Sequence, residues 1–541
     1  NRKRILSLAG VSHQSAESSS GMRPHGHINT HTGNIRGHVE SGKGFGGMSH
    51  GTDLQYILMI RGASGRSRIS KRAFSDLHLH PTFRIFVHII ILSNHKQNNP
   101  KTEQQMVTRK EFLRQLSMMG AGLVMSPFIV QAAEKVGPND KIRVGLIGCN
   151  GMGFTDLQAF VRNPEVECIA LCDVDENVLN RRAAETEKMT GKKVKHLYKD
   201  WRDLIDNKDV DVVIIGTPDH WHCLQAVYAC QAGKDVYCEK PLGNSIEECN
   251  IMVRAAQKYS RVVQVGQWQR SDPHWQDAME FVHSGKLGKI RTVRVFSYQG
   301  WCPSIPVQPD QDPPAGVDYE MWLGPAPERK FNPNRFHFTW RWFWDYAGGL
   351  MTDWGVHLLD YALYGMNVTT PNSIMAAGGK FGSPDDACET PDSLQTIYTF
   401  DDFTVLWDHA IGIDDGAYGR NHGLGFVGEN GTLVVDRNGW EVIPERVNGS
   451  PRMEAVPLQR AYGEGGLNLH VKNHLECIKS RNRDCNASIE IGAHIAKFSQ
   501  LGNIAYRTGK KLTWDGRRFD DAAANALLCK EYRKPWKLPK F

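Results

Sequence analysis

From Ile142 to Val265 short apolar runs alternate with helix-like stretches, and that rhythm leaves few folds open. The runs are Ile142–Ile147, Val166–Leu171, Val210–Ile215, Asp235–Cys238 and Val262–Val265. Between them Gly153–Arg162, Leu224–Ala232 and Ser245–Tyr259 have helical spacing. Parallel strands need a crossover connection, and a helix supplies it, so this alternation predicts a doubly wound parallel sheet over residues 134–270. After about Ser271 the rhythm changes. Ile290–Tyr298, Ser373–Phe381, Leu394–Phe400, Phe403–His409, Leu424–Val427 and Leu433–Val435 read as strands of a large, open, mainly antiparallel sheet. The last two flank Asn430-Gly431, a hairpin signal. Gly300–Asn332, heavy in proline, reads as a long loop. The fold class expected is α/β, a Rossmann-type domain followed by an α+β domain over 271–541.

The first run ends in Gly145-Leu146-Ile147-Gly148-Cys149-Asn150-Gly151-Met152-Gly153. Small residues at Gly148, Gly151 and Gly153 let backbone approach a diphosphate, and the helix that follows offers free N–H groups to that anion. Asn150 stands where the dinucleotide fingerprint has glycine; asparagine tolerates left-handed geometry, and Gly151 adjoins it. Asp173 closes the second run, 25 residues after Gly148. An acid there bonds adenosine ribose hydroxyls and repels a 2′-phosphate, which favours NAD over NADP. The competing reading is a glycine turn in an α/β protein that binds no nucleotide.

Two further clusters carry chemistry. Glu239-Lys240-Pro241 follows the Asp235–Cys238 run directly, at the carboxyl edge where open sheets bind ligands, so Lys240 can donate to a substrate hydroxyl and to cofactor ribose. Gly348–Asp360 holds Asp353 and His357, which share a face if one helix spans them. Oxidising an alcohol removes a hydroxyl proton as hydride leaves carbon, and a histidine suits that proton transfer. The plainer alternative is a capping aspartate and a packed histidine.

Charge is unevenly placed. Residues 1–105 hold 14 Lys/Arg and 5 Asp/Glu, a balance of +9, so the net +6 leaves 106–541 at −3. The basic total therefore carries no argument for nucleic acid. Residues 1–105 also hold 10 of the 22 histidines and show no sustained period, and are expected to be disordered or a non-native extension. Met106–Ala133 reads as a targeting segment, with a basic start, the apolar stretch Met118–Val130, and Ala132-Ala133 suited to cleavage. Thr108–Arg114 resembles a twin-arginine signal with Lys110 for the second arginine, so a periplasmic or otherwise exported protein is expected. A Sec route or a cytoplasmic protein with an amphipathic N-terminal helix stays open. No apolar run reaches the roughly 18 residues of a membrane span. The 12 cysteines include no CxxC pair, and neither a disulfide framework nor a metal is expected.

Taken together, the glycine loop, Thr217-Pro218-Asp219-His220-Trp221-His222, Glu239-Lys240-Pro241 and Asp353-x-x-x-His357 resemble the glucose–fructose oxidoreductase, inositol dehydrogenase and MocA family. The resemblance covers roughly Lys141–Phe541. Trp342–Gly349, Leu501–Tyr506 and Tyr532–Trp536 resemble its exported, bacterial-type branch. It implies that Lys240 and His357 are the catalytic pair, His357 accepting the proton and Asp353 assisting. It implies that Pro218, His220, Glu239 and Gln267 border the nicotinamide and that Thr217 binds the cofactor. It also implies a homo-oligomer, dimer or tetramer, assembled through the second domain's sheet.

Tryptophans 221, 268, 275, 301, 340, 342 and 344 fall near these motifs, and aromatic faces stack on sugar rings. Trp268, Arg270, Trp344 and Asp345 are the substrate-binding candidates, with core packing as the alternative for many of the indoles. The expected activity is hydride transfer between a sugar, sugar-derivative or cyclitol hydroxyl and a tightly bound NAD. The alternatives are glycoside cleavage by transient oxidation and elimination, and a non-catalytic dinucleotide-binding regulator.

Overall fold

The computed structural model describes residues 141–302 and 304–541. The expectations placed on 1–105 and on 106–133 lie outside the described residues.

Six strands form the first sheet: β1 (Ile142–Ile147), β2 (Val166–Cys172), β3 (His196–Tyr198), β4 (Val212–Ile215), β5 (Asp235–Cys238) and β6 (Val263–Val265). Their order is β3-β2-β1-β4-β5-β6, and every pair is parallel. Helices α1 (Gly151–Val161), α2 (Glu176–Thr190), α3 (Trp201–Asp206), α4 (Asp219–Gln231) and α5 (Ile246–Lys258) make the crossovers. Cover on both faces explains why β4 and β5 are buried at every position. Two elements carry no apolar run to betray them. Strand β3 is a three-residue edge, and α2 buries only Val178, Leu179 and Thr186. Helix α2 is instead fixed at its ends, by Asp175 accepting from the Asn177 and Val178 N–H groups and by Gly191 in left-handed geometry. Strand order reverses between β1 and β4, which opens a crevice at their carboxyl ends.

Helix α6 (Pro273–His283) leads into a nine-stranded sheet. Its strands are β7 (Ile290–Gln299), β8 (Ser373–Gly379), β9 (Ser393–Thr399), β10 (Thr404–Ile411), β11 (His422–Gly428), β12 (Gly431–Asp436), β13 (Gly439–Pro444), β16 (Val456–Arg460) and β17 (Leu512–Thr513). The spatial order is β16-β13-β12-β11-β7-β10-β9-β8-β17. Strands β7 and β10 run parallel and the other neighbours antiparallel. A small hairpin, β14 (Arg446–Val447) and β15 (Ser450–Pro451), stands apart. Along β9, Leu394, Thr396 and Tyr398 are buried while Gln395 and Ile397 are exposed, so one face is covered and the other open.

One expectation is corrected and two are refined. The stretch 300–332 contains a short helix, α7 (Tyr319–Leu323), capped by Asp318 accepting from the Met321 N–H at 2.9 Å. Asn430-Gly431 does join β11 to β12, but neither residue takes positive φ, so it is no type I′ turn. Tertiary bonds set that turn, with the Asn430 N–H donating to the Leu287 carbonyl and its Nδ2 to the Lys286 carbonyl. A domain boundary at 270/271 separates the sheets but not the helices. Between α8 (Leu350–Asp353), α9 (Gly355–Met366) and the C-terminus, helix α10 (Gly466–Ser480) sends Val471 and Leu475 back among Val144, Leu146, Phe160 and Tyr237 of the first domain. Helix α11 (Ile489–Thr508) serves both cores, with Ile489, Ala493 and Ala496 in the first and Ile495, Phe498 and Leu501 in the second.

Candidate active site

The crevice between β1 and β4 opens into a cavity of about 790 Å³. Its first wall is the glycine turn. A Cβ on Gly148, whose φ is +83°, would lie 2.7 Å from the Gly216 and Thr217 backbone; one on Gly153 would lie 2.2 Å from the Gly148 carbonyl oxygen. These glycines therefore let the turn, α1 and the end of β4 nest together. Gly151 differs. Its φ is +51° and nothing stands within 4 Å of its missing Cβ, so it faces open space in the cavity. Asn150 is extended, φ −95°, and its side chain caps no N–H of α1. The left-handed step expected at 150 thus falls on Gly151. The uncapped first turn and the clear space over Gly151 are what a diphosphate requires, so the residues present fit a dinucleotide.

Asp173 stands beside this turn. One carboxylate oxygen accepts from the Cys149 N–H at 2.7 Å and the other from the Asp175 N–H at 3.0 Å. Burial pushes its pKa up and those two N–H groups oppose the shift. The acid is fixed in place with lone pairs left for ribose hydroxyls.

The opposite end holds the candidate chemistry. Lys240 Nζ donates to the Asp353 carbonyl at 2.9 Å and to its Oδ1 at 2.7 Å. Arg341 Nε donates to the same Oδ1 at 3.3 Å. Burial pushes the Asp353 carboxyl up, but Lys240 and Arg341 outweigh it and hold the group well below the usual carboxylate range. Asp353 and His357 do not share one continuous helix: α8 ends at Asp353, α9 begins at Gly355, and Trp354 lies between. Both still line the cavity. His357 is buried, and its Nδ1 has no partner. Burial, then the charges of Lys240 and Arg437, press its pKa well below the ordinary imidazole value, so the ring stays neutral. Glu239 also faces the cavity and accepts from the Lys240 backbone N–H at 3.2 Å; burial raises it to about 7.

Of the expected site residues, Gly148, Asn150, Gly151, Met152, Asp173, Thr217, Pro218, Glu239, Lys240, Trp268, Asp353 and His357 line this one cavity. Six others do not. Gly153 is spent on helix packing. Gln267 is buried, and its amide has no partner. Arg270 forms a buried ion pair with Asp360, Nη2 to Oδ1 at 2.6 Å. His220, Trp344 and Asp345 line a second cavity of about 270 Å³. There His220 donates to the Trp322 carbonyl at 2.9 Å, Trp344 donates to the Glu389 carbonyl at 3.0 Å, and Asp345 pairs with Arg329 at 2.6 Å. Tertiary partners engage these side chains, and local spacing cannot disclose that. Missed lining residues include Asp175, His337, Trp354 and Arg437. Asp175 could have been found as the cap two residues beyond Asp173; Arg437, on a hairpin, left no signal.

Residues 142–267 match the profile of an oxidoreductase family with an NAD-binding Rossmann fold, and residues 251–412 match that family's C-terminal alpha/beta domain. The chain belongs to the Gfo/Idh/MocA oxidoreductase family. The first domain of this Gfo/Idh/MocA protein is thus an NAD-binding Rossmann domain. A glycosyl hydrolase family 109 protein of Shewanella putrefaciens is 30% identical over 171 residues, 28% of this chain and 37% of that protein. The inositol 2-dehydrogenase of Salmonella paratyphi B is 33% identical over 150 residues, 27% of this chain and 43% of that protein. The chain therefore spans less than half the length of these curated relatives. Among solved structures, a levoglucosan dehydrogenase with NADH and levoglucosan aligns with a TM-score of 0.52 at 20% identity, over 69% of this chain and 99% of that one. An aldose–aldose oxidoreductase from Caulobacter crescentus aligns with a TM-score of 0.52 at 20% identity, over 69% of this chain and 100% of that one. These two likenesses are of fold.

Proposed function

We infer that this protein transfers hydride between NAD and a hydroxyl-bearing carbon of a sugar, sugar derivative or cyclitol. The observation that carries the reading is the convergence of Lys240, Asp353 and His357 on the cavity that opens from the glycine turn. NAD, held by the turn, Asp173, Thr217, Pro218 and Glu239, supplies the hydride acceptor. The chain's own groups do the remainder. Lys240, steered by Asp353, donates to the substrate hydroxyl oxygen and stabilises charge that develops there. His357 accepts the hydroxyl proton, which its neutral ring is free to do. Arg341 keeps Asp353 ionised, and Trp268 and Trp354 line the cavity beside the His357 ring.

A second reading is favoured by the similarity to the family 109 glycosyl hydrolase: transient oxidation of a glycoside, elimination of the aglycone across the acidified neighbouring carbon, addition of water to the double bond that remains, and return of hydride. Incubation of the NAD-loaded protein with a glycoside panel separates the two. Stoichiometric NADH with intact glycoside supports the dehydrogenase and free aglycone without net NADH supports cleavage; neither product with the glycosides, and no NADH with free sugars or cyclitols, would point to a regulator.

Export through 106–133 belongs to this proposal. Free NAD is scarce outside the cytoplasm, so the cofactor stays bound through turnover, and natively purified protein should release dinucleotide on denaturation. Homo-oligomer formation belongs to it as well. Met375, Ile397 and Ile443 are exposed on the large sheet and suit burial against a second copy.

A further inference from the structure

Arg437 follows β12 directly and reaches the active-site cavity. Its guanidinium lies 5.0 Å from the Trp268 ring centre and 4.5 Å from that of Trp354, held between two indoles. Nη2 donates to Gln269 Oε1 at 3.3 Å, and Nε is buried with no partner. The acids that might neutralise it are taken. Asp436 is bound by Arg420 at 3.1 Å and by the Asn438 and Gly439 N–H groups. Asp353 is held by Lys240 and Arg341. Among the described residues no carboxylate stands within ion-pairing distance of Arg437.

A secluded guanidinium without an acid is costly unless a ligand completes it. Nη2 is already given to Gln269 and Nε is buried, which leaves Nη1, without a protein partner, to meet a carboxylate, sulfate or phosphate. The Asp353 end of the cavity reinforces the sign. There Lys240, Arg341 and Arg437 bear on Asp353, and burial raises Glu239 to about 7 and Asp219 to about 8, while the carboxylates Asp173 and Asp175 line the same cavity beside the glycine turn.

The geometry points to Arg437 as the anion-recognising residue of the substrate pocket, so that the substrate is an acidic sugar or cyclitol bearing a carboxylate, sulfate ester or phosphate ester. This assignment rests on the oxidoreductase reading above and narrows its substrate class. The other available anion is the cofactor's diphosphate. That group belongs at the glycine turn, whereas Arg437 stacks on Trp354, the residue that separates Asp353 from His357, and its charge bears directly on His357.

The test uses the full chain loaded with NAD. Tryptophan fluorescence reads binding and absorbance reads NADH, with glucuronate, galacturonate and glucose 6-phosphate set against glucose and galactose. At least one acidic sugar is expected to bind about tenfold or more tightly than its neutral parent, with NADH formed. R437Q should erase that preference while NAD affinity stays within about twofold, and R437K should restore part of it. The assignment is overturned if no acidic sugar outbinds its neutral parent, a comparison that needs no variant. It is also overturned if R437Q leaves the preference intact and weakens NAD instead, which would give the arginine to the diphosphate. Failure of the underlying activity looks different: preferential binding of an acidic sugar with no NADH and no cleavage.

Discussion

Lys240 and His357 face the same cavity but sit in opposite electrostatic states. Lys240 is tied to Asp353, and His357 is kept neutral by burial and by the cations around it. Replacing Lys240 by Met leaves Asp353 still paired with Arg341, so the fold should hold while turnover falls about 10²–10⁴-fold. Steady-state kinetics beside a thermal melt check it, and a matching loss of melting temperature would mean the lysine is structural. The pH profile follows from direction alone. A histidine whose folded value lies below its ordinary value near 6.5 is uncharged through that range. The acid limb of kcat/KM due to His357 therefore belongs below about pH 6.5, and a limb centred at the ordinary value would contradict this environment. Lys240, Asp353 and His357 were legible because they sit in short motifs beside glycines and at a strand end. That Arg270, Trp344 and Asp345 lie outside this cavity is not legible, because sequence shows a hydrogen-bonding group but not the partner that consumes it.

Two glycines of one turn should respond differently. A methyl at Gly153 collides with the Gly148 carbonyl, so G153A should lower stability and NAD affinity together. A methyl at Gly151 meets only open cavity, though φ +51° is unfavourable for alanine by about 1 kcal/mol. G151A should therefore keep nearly its melting temperature and lose most NAD binding, as calorimetry would read. Helix α10 offers a linkage test. His470 donates from Nε2 to the Val265 carbonyl and accepts from Ser271 Oγ, tying α10 to the first sheet, and burial lowers its pKa to about 3. The unfolded chain binds a proton there below about pH 6.5 and the folded chain does not. Stability from this group is complete above that pH and lost as pH falls toward 3. H470Q should remove one proton, about 1.4 kcal/mol per pH unit, from the slope of unfolding free energy between pH 6 and 4. An unchanged slope in urea titrations would show the ring is already protonated. The strands were legible because apolar runs are long and local; β3 and α2 were not, since one is an exposed edge and the other is fixed by caps.

Among the described residues, contacts beyond the sheets tie the first domain to the second. The Arg270–Asp360 pair links the segment after β6 to α9, with Asp360 almost wholly buried. Removing one partner strands the other charge, so D360N should cost about 3–5 kcal/mol by chemical denaturation. NAD affinity should persist, because neither residue lines the cavity. The two sheets and their classes could be read from the period of the pattern. The return of α10 and α11 to the first domain could not, since an amphipathic helix reveals which face it buries and not against what. The account as a whole turns on where the nicotinamide lies. A crystal structure with NAD and a substrate alcohol bound should seat the diphosphate over Gly151 and the nicotinamide with Lys240 Nζ and the His357 ring both within hydrogen-bonding reach of the one substrate oxygen. A dinucleotide bound there with either side chain out of that reach, or no dinucleotide in the cavity, would contradict it.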